Sequence, residues 1–276
     1  MSQSRVLPLS QETDRRWLDC ASPRPATTPR VRLFCFPHAG ASASLFRPWQ
    51  AEIHRDIQVC GVQLPGRGGR FVEAPFSRVS QIVDALAENL RGALNLPFAF
   101  FGHCMGALIA FELARRLRRE GHEPLHLIVS ALRPPQLGNP KYPLHVLPDA
   151  AFVATLAALN GLPQELIEEP ELLNLMLPVL RADFEACETY RYRYESPLHC
   201  PISCYTGRKD PRSSPEEMDL WRDHTVGRFS CRVFPGNHFF LESARKAVLS
   251  ALSVELIETL IREQHSGNFQ SRGAST

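Results

Sequence analysis

The stretch Phe100-Phe101-Gly102-His103-Cys104-Met105-Gly106-Ala107-Leu108 constrains the fold of this chain more than any other. A short apolar run, Leu96 to Phe101, precedes it, with Pro97 near its start. Ile109, Leu113 and Leu117 follow at helical spacing. A strand therefore runs into a sharp turn, and the turn into a helix. Glycine two residues either side of Cys104 gives the G-x-S-x-G pattern of a nucleophile elbow, with cysteine in the serine position. Such a turn forces its central residue into a strained backbone conformation. A side chain at either flanking position would collide with the neighbouring strand or helix, and Gly102 and Gly106 remove it. A helix that begins right after Cys104 aims free N–H groups and a positive dipole end at the thiol, which favours a thiolate there and an oxyanion beside it. The competing reading is a buried structural cysteine in a glycine-containing turn. The strand–turn–helix context favours the nucleophile.

The rest of the chain supplies a sheet around this turn. Val31 to Phe36, Ile57 to Leu64, Leu125 to Ala131, Pro201 to Thr206 and Phe229 to Phe234 read as strands by their β-branched and aromatic content. Leu45 to Ile53, Val79 to Leu94 and Ala244 to Arg262 read as helices, Val79 to Leu94 with Ile82, Leu86 and Leu90 on one face. Strands alternating with helices predict an α/β fold with a mostly parallel sheet covered on both faces. Between Arg133-Pro134-Pro135 and about Tyr194 the pattern changes to helices alone: Asp149 to Leu159, Pro170 to Leu180 and Arg181 to Tyr194. An insertion at about 134–195 is placed to act as a lid over the elbow. Some of its apolar residues (Phe152, Leu156, Leu172, Leu173, Leu175, Met176, Leu177) are candidates to line a substrate channel.

With 276 residues, 44% of them hydrophobic, the chain holds one sizeable domain, read as residues 31–265. A polar leader (1–30), flexible or loosely docked, precedes it and a mobile polar tail (266–276) follows. A formal net charge of +2 implies no strong field for nucleic acid or an anionic membrane. No apolar run is long enough to span a bilayer, and the leader lacks the apolar segment of a signal peptide, so a cytoplasmic protein is expected. The eight cysteines are expected as free buried thiols rather than a disulfide framework. Cys200 and Cys204 lack both zinc-site spacing and a facing pair, and no metal is expected.

A thiol nucleophile needs a base, and the base an orienting acid. In α/β-hydrolase architecture the chain order is nucleophile, acid, histidine. Asp210 and His238 lie in that order, each in a loop after a late strand. Among ten histidines His238 is preferred because its loop carries glycine, follows a strand and precedes a helix. His103 is adjacent to Cys104 and is expected to pack beside the elbow, and His38 to shape its own loop. Glu242 and Asp183 compete with Asp210 for the role of acid. The oxyanion hole is assigned to the N–H of Met105 and to that of Ala39 in the loop Pro37-His38-Ala39-Gly40-Ala41-Ser42, with Gly40 next. The basic loop Pro65-Gly66-Arg67-Gly68-Gly69-Arg70 has two readings: a plain turn with solvated arginines, or a cleft wall that meets a phosphate or a carrier surface.

Taken together, Phe36-Pro37-His38-Ala39-Gly40, Leu64-Pro65-Gly66-Arg67, Gly102-His103-Cys104-Met105-Gly106, Leu180-Arg181-Ala182-Asp183-Phe184 with Glu188-Thr189-Tyr190, and Gly236-Asn237-His238-Phe239-Phe240-Leu241 resemble the type II thioesterases of polyketide and nonribosomal peptide synthesis. The likeness covers roughly Val31 to Arg262. It implies an α/β-hydrolase fold with a helical lid, and no cofactor of the enzyme's own. It also implies a substrate presented as a thioester on the 4'-phosphopantetheine of an acyl or peptidyl carrier protein. Cys104 is then the nucleophile, Asp210 the acid and His238 the base. The chain departs from the family in having cysteine for serine at position 104, and Ala41 where a second glycine is usual. A cysteine acyl-enzyme is itself a thioester, close in energy to the one it came from. The expectation is therefore an acyl or aminoacyl shuttle between carrier domains, as in cysteine-bearing relatives. Hydrolytic editing is the alternative, and an inactive binding module the alternative of another class. An engineered Ser→Cys trapping variant would carry the same pattern. The oligomeric state is left open.

Overall fold

Val31–Phe36 (β2), Ile57–Val62 (β3), Phe98–His103 (β4), Leu127–Ser130 (β5) and Ile202–Gly207 (β6) are short runs rich in β-branched and aromatic residues, and each forms a strand buried along its whole length. Burial on both faces is what a parallel sheet between two helical layers requires. The structure is a computed structural model that describes residues 16–20, 28–138, 142–159, 162, 166 and 168–273, with side chains to 265. Among these, Leu18–Cys20 (β1) and Phe229–Phe234 (β7) complete one seven-stranded sheet of order β1-β3-β2-β4-β5-β6-β7. All neighbours run parallel except β1, which pairs antiparallel with β3.

Side chains alternate across the sheet. Phe34, Phe36 and Phe100 face a layer formed by Val79–Asn89 (α1) and Met105–Arg118 (α2), where Ile82, Leu86, Ile109 and Leu113 meet them. Leu33, Cys35 and Phe101 face the other side, where Val248, Leu249, Leu252 and Leu256 of the last helix, Arg245–Gly273 (the fifth long helix, α5), close the second layer. Asp149–Ala158 (α3) and Pro170–Thr189 (α4) form the insertion, with a small core of their own around Phe152, Leu156, Leu177 and Leu180.

Four sequence expectations change. The leader is not loosely docked throughout: Trp17 and Leu18 are buried, and β1 adds an edge strand to the sheet. The cysteines are not all free. Cys20 and Cys60 lie directly opposite in the β1–β3 register and are joined by a disulfide, while Cys35, Cys104, Cys187, Cys200, Cys204 and Cys231 are free thiols. The helices expected over Pro170 to Leu180 and Arg181 to Tyr194 are one helix to Thr189, continuous through Pro178, which removes a single helical N–H. The terminal helix runs on to Gly273, through most of the stretch expected as a tail. Residues 1–15, 21–27 and 274–276 of the expected leader and tail lie outside the described residues. Among the described residues no helix is long and apolar enough to cross a membrane.

Candidate active site

The turn after β4 is as tight as its glycines suggest. Cys104 takes φ 54° and ψ −117°, a strained backbone for a residue with a side chain. Its N–H donates to the Ser130 carbonyl at 2.8 Å, tying the turn to the end of β5. A Cβ on Gly102 would lie 2.2 Å from the Gly106 carbonyl oxygen, and a Cβ on Gly106 would lie 2.0 Å from that of Phe36. No side chain fits at either position, so the elbow depends on both glycines.

The loops after β6 and β7 meet beside it. Gly207 ends β6, and a Cβ there would lie 2.2 Å from the Asn237 carbonyl oxygen, so its bare backbone lets the two loops close. That approach brings His238 onto Asp210. Nδ1 of His238 donates to Oδ2 of Asp210 at 2.8 Å, the tautomer being assigned from the acceptor-only carboxylate. The Ser213 hydroxyl donates to the same oxygen at 2.7 Å, and the Arg212 N–H donates to Oδ1 at 2.9 Å. Nε2 of His238 is buried without a hydrogen-bond partner inside the cavity wall that also holds Cys104. Burial alone would push the Cys104 thiol up, but the His238 charge, with Arg212 and the Met105 N–H, brings it net below its ordinary value. Burial likewise opposes a charged His238, yet Cys104 and Asp210 together raise it to about 9. Two opposite shifts on facing groups favour a thiolate–imidazolium pair.

The other expectations sort themselves geometrically. Asp183 lies in α4 and is wholly buried, with its carboxylate committed. Arg67 Nη1 donates to Oδ2 at 2.6 Å and Nη2 to Oδ1 at 2.8 Å, and the Gly40 N–H donates to Oδ2 at 2.7 Å. Asp183 is therefore bonded to Arg67 and Gly40 while Asp210 holds His238, and the Gly40 amide is taken. Of the two candidates in that loop, Ala39 is the one on the cavity wall, as is Met105 at the start of α2. Glu242 is exposed. His103 is buried, with Nδ1 2.9 Å from the Ser130 hydroxyl and its ring centroid 5.5 Å from that of His238. The His38 Nδ1 donates to the carbonyl of Ala39 at 3.0 Å, which shapes the loop.

The reading of the basic loop as a turn with solvated arginines needs correcting. Arg67 and Arg70 are buried. Arg67 clasps Asp183. Arg70 pairs with Glu73 at 2.7 Å and lies 3.9 Å over the Trp17 ring. Of the lid residues expected at a channel, Phe152, Leu156 and Leu177 form its own core, and Leu172 and Leu175 are exposed. The lid reaches the cavity through Phe184, Cys187 and Glu188 instead. Sequence reasoning missed Ser213. The signal was there: a Ser three residues after an Asp in a Pro-containing turn is placed to bond back to the carboxylate. The cavity holds about 360 Å³.

Residues 31–256 match the family model described as "Thioesterase domain". The chain is 40% identical over 228 residues to the gramicidin S biosynthesis protein GrsT of Aneurinibacillus migulanus, covering 82% of this chain and 89% of that protein. It is 43% identical over 250 residues to the protein named linear gramicidin dehydrogenase LgrE of Brevibacillus parabrevis, covering 89% and 94%. The solved type II thioesterase BorB from the borrelidin biosynthetic cluster superposes with a TM-score of 0.76 at 36% identity, covering 88% of this chain and 96% of BorB.

Proposed function

This chain belongs to the thioesterase family, and from that premise we propose that it takes acyl groups from the phosphopantetheine thioesters of carrier proteins in nonribosomal peptide or polyketide synthesis and passes them to a second carrier thiol. The observation that carries this reading is the Cys104 thiol at the elbow, sharing a cavity wall with the buried Nε2 of a histidine that Asp210 holds by Nδ1. The thiolate attacks the thioester carbonyl. The N–H groups of Met105 and Ala39 hold the oxyanion, and the imidazolium Nε2–H protonates the departing pantetheine sulfur. The acyl group is then a thioester on Cys104, and His238 is a neutral base. It takes the proton of an incoming thiol, which attacks the same carbonyl and restores the ion pair. Asp210 fixes the ring so that Nε2 faces the sulfur in both halves. The two thioesters are close in energy, so the exchange is nearly balanced.

The likeness to BorB, a type II thioesterase, favours a second reading, in which water takes the acyl group and the free acid leaves. The two part on one measurement, the partition of a labelled acyl group between free acid and an empty second carrier. Transfer predicts labelled carrier with Cys104, and a swing toward acid in Cys104→Ser, since return from an oxygen ester to a thiol is uphill. Free acid alone with abundant empty carrier establishes the hydrolytic reading. Failure of an acyl group to appear on Cys104 at all leaves neither, and assigns the chain a binding role.

A further inference from the structure

Four side chains on the cavity wall carry or accept full charge besides the His238 pair: Arg133, Glu188, Arg212 and Glu217. Three are committed. Arg133 pairs with Glu217 at 3.3 Å. Glu188 accepts the Leu144 N–H at 2.8 Å, the His145 N–H at 3.0 Å and the His145 Nδ1 at 2.6 Å, and so fastens α4 to the segment before α3. Arg212 differs. Its backbone N–H holds Asp210, but Arg212 is a half-buried residue of the wall whose side chain has no carboxylate within ion-pair distance among the described residues. The site thus contains one positive charge that the fold leaves uncompensated, on a backbone fixed by the same carboxylate that orients His238.

We propose that Arg212 is a specificity-determining residue that receives the carboxylate of an acyl group bound at Cys104, so that the enzyme favours thioesters whose acyl part ends in a carboxylate. This rests on the reading that Cys104 carries the acyl group. The chemistry fits the residue. A guanidinium offers a planar fork of donors to a carboxylate, and these charge-assisted bonds gain strength in a site partly shielded from water. Pro211 locks one backbone angle beside it and the Arg212 N–H is tied to Asp210, so the guanidinium stem starts at a set position relative to the elbow. Arg212 lines the same cavity as the Cys104 and Cys187 thiols, so a group carried on Cys104 lies within the space that Arg212 walls. A free α-ammonium on the acyl group would be repelled, which narrows the cargo to acyl groups without one.

The test uses the full chain and N-acetylcysteamine thioesters, which carry no phosphate. Malonyl is compared with its uncharged monomethyl ester, reading kcat/KM for acylation of Cys104 by intact mass. Native enzyme should favour malonyl, and Arg212→Ala should lower the malonyl-to-ester ratio by about 10- to 100-fold, the worth of a charge-assisted bond pair. Arg212→Lys should retain part of the preference. Arg212→Glu should reverse it, favouring the β-alanyl over the malonyl thioester. Because the readout is a ratio, and the backbone N–H to Asp210 survives each change, a general loss of folding or rate does not imitate the result. A ratio near one in native enzyme, or unchanged in Arg212→Ala, overturns the assignment while leaving acylation of Cys104 in place. Failure of both thioesters to acylate Cys104 overturns it together with the function proposed above. Repeating the pair as coenzyme A thioesters separates the other anion. A drop in Arg212→Ala that is equal for both acyl groups and appears only with coenzyme A assigns Arg212 to the phosphate and overturns the acyl reading.

Discussion

Two aspartates are buried among the described residues, and they are held in opposite ways. Asp210 sits in the loop after β6 and gives one oxygen to the His238 ring and a hydroxyl, the other to a backbone amide. Its partner is a group that gains and loses a proton. Asp183 sits in the lid and meets a bidentate guanidinium and the Gly40 amide. Its partner cannot lose a proton under any ordinary condition. The first arrangement lets charge move when the ring gains or loses a proton. The second is a fixed clasp that joins three separate pieces: the lid helix, the loop after β3, and the loop that carries Ala39. The clasp also decides which amides of that loop remain for an oxyanion, because it consumes the one from Gly40. What the contrast teaches is that the role of a buried carboxylate follows from whether its partner can titrate, not from its burial.

The largest expected effect breaks the clasp. Arg67→Ala leaves the Asp183 carboxylate buried with only an amide for company, and should cost about 3–5 kcal/mol of unfolding free energy in urea titration. Arg67→Met combined with Asp183→Leu should recover most of that loss, because both charges are gone. A single-variant loss below about 1 kcal/mol would put the pair on a level with a surface ion pair and erase the contrast.

His238→Ala attacks the other region. Acylation of Cys104 should slow by a factor of about 10² or more, the range for general acid–base groups, with folding stability little changed. Intact mass against time reads it, and an unaltered rate would remove His238 from the reaction. Asp210→Asn should slow the same step by about tenfold to 10²-fold at equal folded fraction, since the amide no longer selects the Nδ1–H tautomer. Equal rates in the native and Asn forms would mean that Asp210, like Asp183, merely holds structure.

The smallest effect is a shift along the pH axis. Cys104 is net lowered, so its reactivity with iodoacetamide should hold at pH values below the ordinary thiol midpoint of about 8.5 and fall as pH drops through its own midpoint. In His238→Ala the imidazolium is gone and only Arg212 and the Met105 N–H still oppose burial, so the midpoint should move up. Cys187 lines the same cavity but burial and the nearby negative groups push its thiol well up, and it should stay unlabelled at neutral pH. Equal labelling of the two cysteines at pH 7 would contradict the ion pair.

How much of this was legible in the sequence follows from the range of the forces involved. The elbow was legible because it is local. Five residues set the turn, and steric exclusion at Gly102 and Gly106 acts between chain neighbours and the strand beside them. The strands and both helical layers were legible for the same reason, through side-chain period. His238 and Asp210 followed from chain order, although they stand 28 positions apart. What the sequence could not decide was partner choice over long separations. Arg67 and Asp183 stand 116 positions apart, and only packing of the lid onto the β3 loop turns a basic loop inward, withdraws Asp183 from the contest for the acid, and spends the Gly40 amide. Cys20 meets Cys60 only because β1 pairs antiparallel at the sheet edge, in a register that no local pattern specifies. Charges and thiols are promiscuous in sequence, since any opposite charge or second thiol will serve; the tertiary structure decides by bringing one of them within reach.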